Sequence, residues 1–228
     1  MSLYLAVELC VLAIPLALSF DKKVAYYRYW NLILPSIIMT GIIFVTIDVC
    51  FTSRGTWGFN PDYHSDIMIA GLPLEELLFF LIIPYSSLFI HFVFISYFPV
   101  TIIRSDITKF ISFGLVALMI ASAIIFHGRI YTFFYSLLTA TVILLAMFAG
   151  VRILSVYYYS FLIIMVPFII VNGILTGSFG QGAVFWYNAD DISGIRILTI
   201  PVEDAMFGFN LVLVNLIGIE IMRKMLKR

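Results

Sequence analysis

Seven apolar runs of membrane-spanning length occupy most of this 228-residue chain. A helix crosses the hydrocarbon core of a bilayer with about 20 apolar residues. Charged residues make up only 11% of the chain, whereas a soluble domain needs about 25% to cover its surface with polar groups. The sequence therefore predicts an all-α polytopic membrane protein with about seven transmembrane helices, over residues 2–20, 31–51, 73–98, 110–127, 131–151, 155–176 and 201–222.

The first run and the two cysteines restrict the class of protein further. Glu8 interrupts the first run, and no basic segment precedes it, so we interpret this run as a retained helix and not as a signal peptide. Cys10 and Cys50 lie in apolar stretches without metal-ligand spacing, so we predict neither a disulfide nor a metal site, and no cofactor. The net charge of zero gives no indication of a nucleic-acid partner.

Lysine and arginine are distributed unevenly between the predicted loops. One side of the membrane has only Arg54, Arg129 and Arg196. Basic residues accumulate on the cytoplasmic side of membrane proteins. We therefore expect the N-terminus outside and the C-terminus in the cytoplasm, in the cell (inner) membrane. The ten basic residues on the expected cytoplasmic side are Lys22, Lys23, Arg28, Arg104, Lys109, Arg152, Arg223, Lys224, Lys227 and Arg228.

The third and seventh runs begin with matching motifs, Pro73-Leu-Glu75-Glu76 and Pro201-Val-Glu203-Asp204. In the loops before them, an asparagine precedes the motif proline by the same distance, at Asn60 and at Asn188. Self-similarity of this kind indicates an internal repeat. We predict two parallel repeats, residues 1–100 with helices one to three and residues 131–228 with helices five to seven. The linking helix four lies within residues 101–130.

The acids of the two motifs are the candidate catalytic groups. Acidic residues in a first helical turn stabilise the helix by complementing its dipole, and this effect alone can explain their position. Their duplication, and the cost of placing carboxylates at the edge of a membrane span, favour a functional role. We predict that Glu75 and Glu203 are the primary proton-transfer groups. Glu76 and Asp204 are then partners that adjust protonation, because two neighbouring carboxylates do not ionise easily together.

Aromatic and polar residues around the motifs are candidates for substrate binding. The phenylalanines one turn after the acids could stabilise a carbocation with their ring faces, although helix packing explains them equally well. The tryptophans of the preceding loops are also typical of an interfacial aromatic belt. The predicted substrate-binding set is Phe79, Phe80, Phe207, Asn210, Trp57, Trp186, Asn60, Asn188, Asp48 and Asn172.

Several motifs of other enzyme classes do not occur in the sequence. It has no Gly-x-Gly-x-x-Gly motif after a strand, and none of its predicted helices has an Asp-x-x-x-Asp pair for a magnesium-bound diphosphate. The acids at Glu75 and Glu76 are not followed by the Arg and His residues that an intramembrane Glu-Glu-type protease requires. Acids and aromatic rings without redox or metal groups favour proton-initiated chemistry on a hydrophobic molecule.

The two motifs resemble the Pro-x-Glu-(Glu/Asp) motif of the small membrane lycopene cyclases. That family is heterodimeric in some bacteria and carries both halves in one chain in other members, and the resemblance covers nearly the whole chain. It implies three-helix halves joined by a linking helix. It also implies an isomerase of the intramolecular lyase class, a lycopene β-cyclase of carotenoid biosynthesis that protonates each acyclic end without net redox change. Other enzymes of the carotenoid pathway are candidate partners.

Other functions stay open at this point. A related prenyl-chain enzyme, such as a membrane prenyltransferase, would act on a diphosphate with magnesium. Outside the enzymes, paired carboxylates within seven helices also suit a proton-coupled transporter or a carotenoid-binding protein. The sequence leaves the ring type open, and it does not distinguish one shared site from one site in each half.

Overall fold

The computed structural model describes residues 2–99, 102–180 and 182–226. Lys227 and Arg228, two of the basic residues on the expected cytoplasmic side, lie outside these described residues. A short 3-10 helix, Tyr26–Tyr29, precedes the second α-helix. The α-helices of the described residues are α1 (Leu3–Leu18), α2 (Trp30–Ser53), α3 (Leu74–Tyr97), α4 (Ser105–Ile125), α5 (Ile130–Leu175) and α6 (Val202–Leu226).

Five helices of the described chain, α2 to α6, are long and apolar enough to cross a membrane. The apolar helix α1 is shorter, with 16 residues. Large apolar side chains such as Phe110 and Phe148 are 81% and 88% exposed on the outside of the bundle, as lipid-facing residues are. The prediction of an all-α membrane protein is therefore confirmed. The number of seven spans stays a prediction.

Helix α5 contains a break at Gly150. This residue has φ 154° and ψ 118°, a conformation that glycine tolerates because it has no Cβ. The break separates residues 130–149 from residues 151–175, and each segment is as long as one predicted span. The fifth and sixth apolar runs of the sequence lie on the two sides of this break.

The loops contain short strands, whereas the sequence pattern predicts none, so the prediction was wrong on this point. Each strand has only two or three residues, which is too short to produce a recognisable alternation of apolar and polar side chains. They pair as β1 with β4, β2 with β3 and β5 with β6. In chain order they are β1 (Trp57–Phe59), β2 (Met68–Ile69), β3 (Leu72–Pro73), β4 (Phe185–Tyr187), β5 (Arg196–Ile197) and β6 (Ile200–Pro201).

The pair β1–β4 connects the two halves of the chain, which we define as the residues before and after α4. Trp57 lies opposite Tyr187, and Phe59 lies opposite Phe185, in an antiparallel register. The hairpins β2–β3 and β5–β6 lead directly into α3 and α6. The loops that carry these hairpins are paired through β1 and β4. Helices α3 and α6, and the two motifs at their N-termini, therefore begin at the same end of the bundle.

Helix α6 occupies a central place, where it contacts α2, α3 and α5. Helix α1 packs on α3, and α4 packs on α5. The Tyr157 hydroxyl donates to the Phe209 carbonyl at 2.8 Å and ties α5 to α6 within the main apolar core. Because α4 packs on α5 and leaves most of its own surface exposed, it lies at the edge of the bundle.

Candidate active site

A cavity at the motif end of the bundle is lined by both halves of the chain. The first half contributes Asp48 and Glu76, and the second half contributes Asn172 and Asp204. Aromatic side chains cover much of the remaining wall, with Trp57, Phe59, Phe79, Phe161, Phe168, Phe185 and Phe207. The cavity therefore combines a few polar groups at one end with a large apolar surface.

The cavity extends along α3 and α5. Its lining residues run from Glu76 to Ile90 on α3 and from Leu175 to Phe161 on α5. Both distances correspond to fourteen residues, or roughly 21 Å at the rise of an α-helix. An elongated apolar cavity with acidic groups at one end fits a long hydrophobic molecule.

Glu76 and Asp48 form a pair of carboxyl groups. Both are buried, and Tyr4 donates its hydroxyl to Glu76 at 2.7 Å. Asp48 lies beside Glu76 and the Trp57 indole, and its buried Oδ2 has no hydrogen-bond partner among the described residues. Two carboxyl groups form a hydrogen bond with each other only when a proton lies between them. Within the described residues neither has a Lys or Arg in an ion pair, so the pair is suited to hold protons.

Asp204 has a different set of partners. It accepts hydrogen bonds from the Tyr187 hydroxyl at 2.8 Å, from the Asn172 amide at 3.0 Å and from the Tyr131 hydroxyl at 3.1 Å. Burial, and then the negative charge of Asp204, raise the pKa of the Tyr187 phenol well above its usual value, so this phenol remains a donor. Three donors stabilise the ionised form of a carboxyl group.

The first acids of the two motifs hold the loops in place. Glu75 accepts bonds from the Ser65 N–H at 2.7 Å, the Ser65 hydroxyl at 2.9 Å and the Ser2 hydroxyl at 2.7 Å. Glu203 accepts bonds from the Ser193 N–H at 2.7 Å and from the Thr132 hydroxyl. Neither carboxyl group is among the residues that line the cavity. Each one instead fixes the loop that leads into its helix.

A family model described as lycopene cyclase matches residues 1–94 and 128–222. This chain belongs to the lycopene cyclase family. Each of the two matched segments contains one Pro-x-Glu-(Glu/Asp) motif, and the whole of helix α4 lies between them. Comparisons with the curated proteins and with the solved structures return no match.

In this member of the lycopene cyclase family, the predicted site residues fall into two groups. Besides Glu76 and Asp204, the cavity is lined by five of the predicted substrate-binding residues, which are Asp48, Trp57, Phe79, Asn172 and Phe207. The remaining predicted residues lie outside the lining, and these are Glu75, Glu203, Asn60, Phe80, Trp186, Asn188 and Asn210.

The residues outside the lining have other contacts. Phe80 packs in a small core with Phe44 and Leu211. Asn210 donates its amide to Thr139 at 2.9 Å. Asn60 and Asn188 accept bonds from the backbone two residues further along the chain, which shapes their turns. Trp186 is 49% exposed at the end of the bundle where the motifs lie.

Sequence reasoning missed the tyrosines that bind the acids in this cyclase-family chain. Tyr4 lies in the first turn of α1 and Tyr131 in the first turn of α5, each more than 70 residues from the acid it contacts. The available signal was a tyrosine hydroxyl in the first turn of an apolar helix. It did not show which carboxyl group the hydroxyl would bind.

Proposed function

We propose that this chain is a lycopene β-cyclase that works by acid–base catalysis in one cavity shared by its two halves. Membership of the lycopene cyclase family supports a carotenoid substrate and a cyclase role. The observation that carries the mechanism is the contrast between the proton-holding pair of Glu76 with Asp48 and the donor-rich Asp204. An acid and a base with unlike surroundings are what proton-initiated cyclisation needs.

In the first step, the pair of Glu76 and Asp48 gives a proton to C2 of the terminal double bond of lycopene. A tertiary cation forms at C1, and the C5–C6 double bond attacks it, so that the C1–C6 bond closes the ring and the positive charge moves to C5. The pair of Glu76 and Asp48 begins with two protons and gives one of them to lycopene. The other proton stays between the two carboxyl groups, so both share the remaining negative charge. The Phe79 and Phe207 rings line the cavity, where their faces stabilise the cation.

In the second step, the Asp204 carboxylate removes the proton at C6. The electrons of the C6–H bond form the C5–C6 double bond, which gives the β-ring and leaves no net change of charge or oxidation state. The apolar wall keeps out water that would otherwise add to the cation. Asp204 can then return the proton to Glu76, because both groups face the same cavity.

The proposal ranks the second acid of each motif ahead of the first, which is the opposite order to that predicted from the sequence. Glu75 and Glu203 support the site by fixing the loops before α3 and α6. A single shared site acts on one end of lycopene at a time. The second end reacts after the molecule is released and turned round.

Expression in a bacterium that accumulates lycopene tests the proposed function. We expect lycopene to be replaced by products with one or two β-rings, identified by chromatography and absorption spectra. Unchanged lycopene, with the folded protein present in the membrane fraction, would overturn the cyclase function. Magnesium-dependent transfer of a prenyl group from a prenyl diphosphate, with release of diphosphate, would instead identify a prenyltransferase.

Replacement of Asp48 with asparagine tests the proton-holding pair. The new amide would stabilise ionised Glu76 as Asn172 stabilises Asp204, so Glu76 would lose its proton before the substrate binds. We expect the rate of cyclisation, measured on lycopene in membranes, to fall at least about tenfold, which is less than the roughly 100-fold or more for complete loss of general acid catalysis. Asp62→Asn, at an exposed position of a loop, is the matched control and should retain full activity. Full activity of Asp48→Asn would refute the pair.

A further inference from the structure

A second cavity lies at the opposite end of the bundle from the acids. The end of α3, the break at Gly150 in α5 and the end of α6 surround it, with a volume of about 620 Å³. Ligand-binding pockets have volumes of about 300 to 1,000 Å³. The space next to Gly150 is open, because a Cβ added to this residue would meet no atom within 4 Å. The break in α5 therefore leaves room for a ligand of substantial size.

The lining of this cavity is apolar on one side and cationic at the rim. Phe92, Ile153 and Leu216 belong to the apolar wall, and Arg152 and Arg223 belong to the rim. A molecule that fits both surfaces has an apolar tail and a negatively charged head.

The two guanidinium groups of the rim are available to a ligand. Within the described residues, Arg152 and Arg223 make no ion pair and no side-chain hydrogen bond. Lys224 lies beside them but is already engaged with Glu220, at 3.7 Å, and with the Ala149 carbonyl, at 2.5 Å. Glu220 is the one acidic residue among the described lining residues, so the rim has an excess of positive charge.

The depth of the rim in the bilayer identifies its environment. Asp204 and Arg223 are nineteen residues apart on α6, which corresponds to roughly 28 Å along the helix. The hydrocarbon core of a bilayer is about 30 Å thick. When the acids lie near one boundary of that core, the arginines of the rim lie at the phosphate level of the other leaflet. On the expected orientation, this is the cytoplasmic leaflet.

We propose that the second cavity binds an amphiphile with a hydrocarbon tail and a phosphate head of net negative charge. Guanidinium groups bind phosphate oxygens through paired, charge-assisted hydrogen bonds, and the wall of Phe92, Ile153 and Leu216 takes the first part of the tail. An anionic phospholipid has this chemistry, and so does a prenyl diphosphate. The binding occurs at the opposite membrane face from the acids and does not depend on the cyclase function.

Thermal unfolding of the full chain in detergent tests this site. We expect phosphatidylglycerol to raise the midpoint temperature by about 4 °C or more at saturation, whereas phosphatidylcholine should raise it by less than about 1 °C. A second arm uses farnesyl diphosphate, and a third uses inorganic diphosphate without a tail. A shift with farnesyl diphosphate alone identifies a prenyl diphosphate as the ligand of the cavity. A shift with phosphatidylglycerol alone identifies an anionic phospholipid as the ligand. The tail-free diphosphate should have no effect at the same concentration.

The double variant Arg152→Gln with Arg223→Gln should lose most of the shift. Arg104→Gln, at an exposed basic position on the same expected face, is the matched control and should keep it. Native mass spectrometry provides a second measurement, in which one bound phosphate-headed amphiphile is expected on the wild type and none on the double variant. Equal stabilisation by both phospholipids, no shift with either phosphatidylglycerol or farnesyl diphosphate, or an unchanged shift in the double variant would overturn the proposal. Cyclisation of lycopene by the double variant should stay at the wild-type rate.

Discussion

Replacement of Glu76 with glutamine should reduce the cyclisation of lycopene at least about 100-fold, because glutamine keeps the shape of the side chain but has no acidic proton to give. The same change at Glu75 should reduce it less than about tenfold. The glutamine carbonyl at that position can still accept the bonds from Ser65 and Ser2 that hold the loop. The measurement is the initial rate of ring formation in membranes, divided by the amount of folded protein.

The comparison of these two neighbouring positions separates the proposed acid from the residue that holds the loop. Glu220→Gln, at the far end of α6, controls for the loss of a carboxyl group elsewhere in the protein. Equal losses at Glu75 and Glu76 would contradict the division of roles. Full activity of Glu76→Gln would remove Glu76 from the mechanism altogether.

Replacement of Asp204 with asparagine should have an effect of similar size, at least about 100-fold, for a different reason. Asparagine cannot accept the proton from C6, and its amide N–H groups would face the Asn172 amide and the Tyr131 and Tyr187 hydroxyls. Ring closure would then have no base to complete it. We expect lycopene to remain in a pigment analysis of cells that contain the variant.

Glu203→Gln is the matched variant for the second motif. Its carbonyl can still accept the bond from the Ser193 N–H, so we expect it to retain at least about a tenth of the activity. A loss in Asp204→Asn that is no larger than the loss in Glu203→Gln would show that Asp204 is not the base. The melting temperature of each variant, measured in the same detergent, shows whether a loss of activity results from unfolding.

The sequence predicts the helices well because each one needs its own apolar run, and this information is local. The runs at 131–151 and 155–176 correspond to the segments before and after the break at Gly150. The motifs at Pro73 and Pro201 also locate the acids near the beginning of α3 and α6. Composition and spacing are sufficient for these conclusions because they do not require knowledge of which helices are neighbours.

The direction of each acid could not be predicted in the same way. Glu75 and Glu76 are adjacent, and neighbouring helix residues point about 100° apart. Which one faces the cavity depends on where α1 and the loop before α3 lie, and this information is not local. Ser65 and Tyr4 decide the outcome, because the first binds Glu75 and the second binds Glu76. The strand pair β1–β4 was missed for the same reason, since its partners come from distant parts of the chain.

The unlike partners of Glu76 and Asp204 have a consequence for the symmetry of such enzymes. A dimer of two identical subunits would give both acids the same neighbours, so both would tend to hold a proton or both would tend to lose it. In this chain Glu76 lies beside Asp48, whereas Asp204 accepts a bond from the Asn172 amide, so the two acids are not equivalent. Because both acids belong to one chain, every molecule contains one acid of each kind.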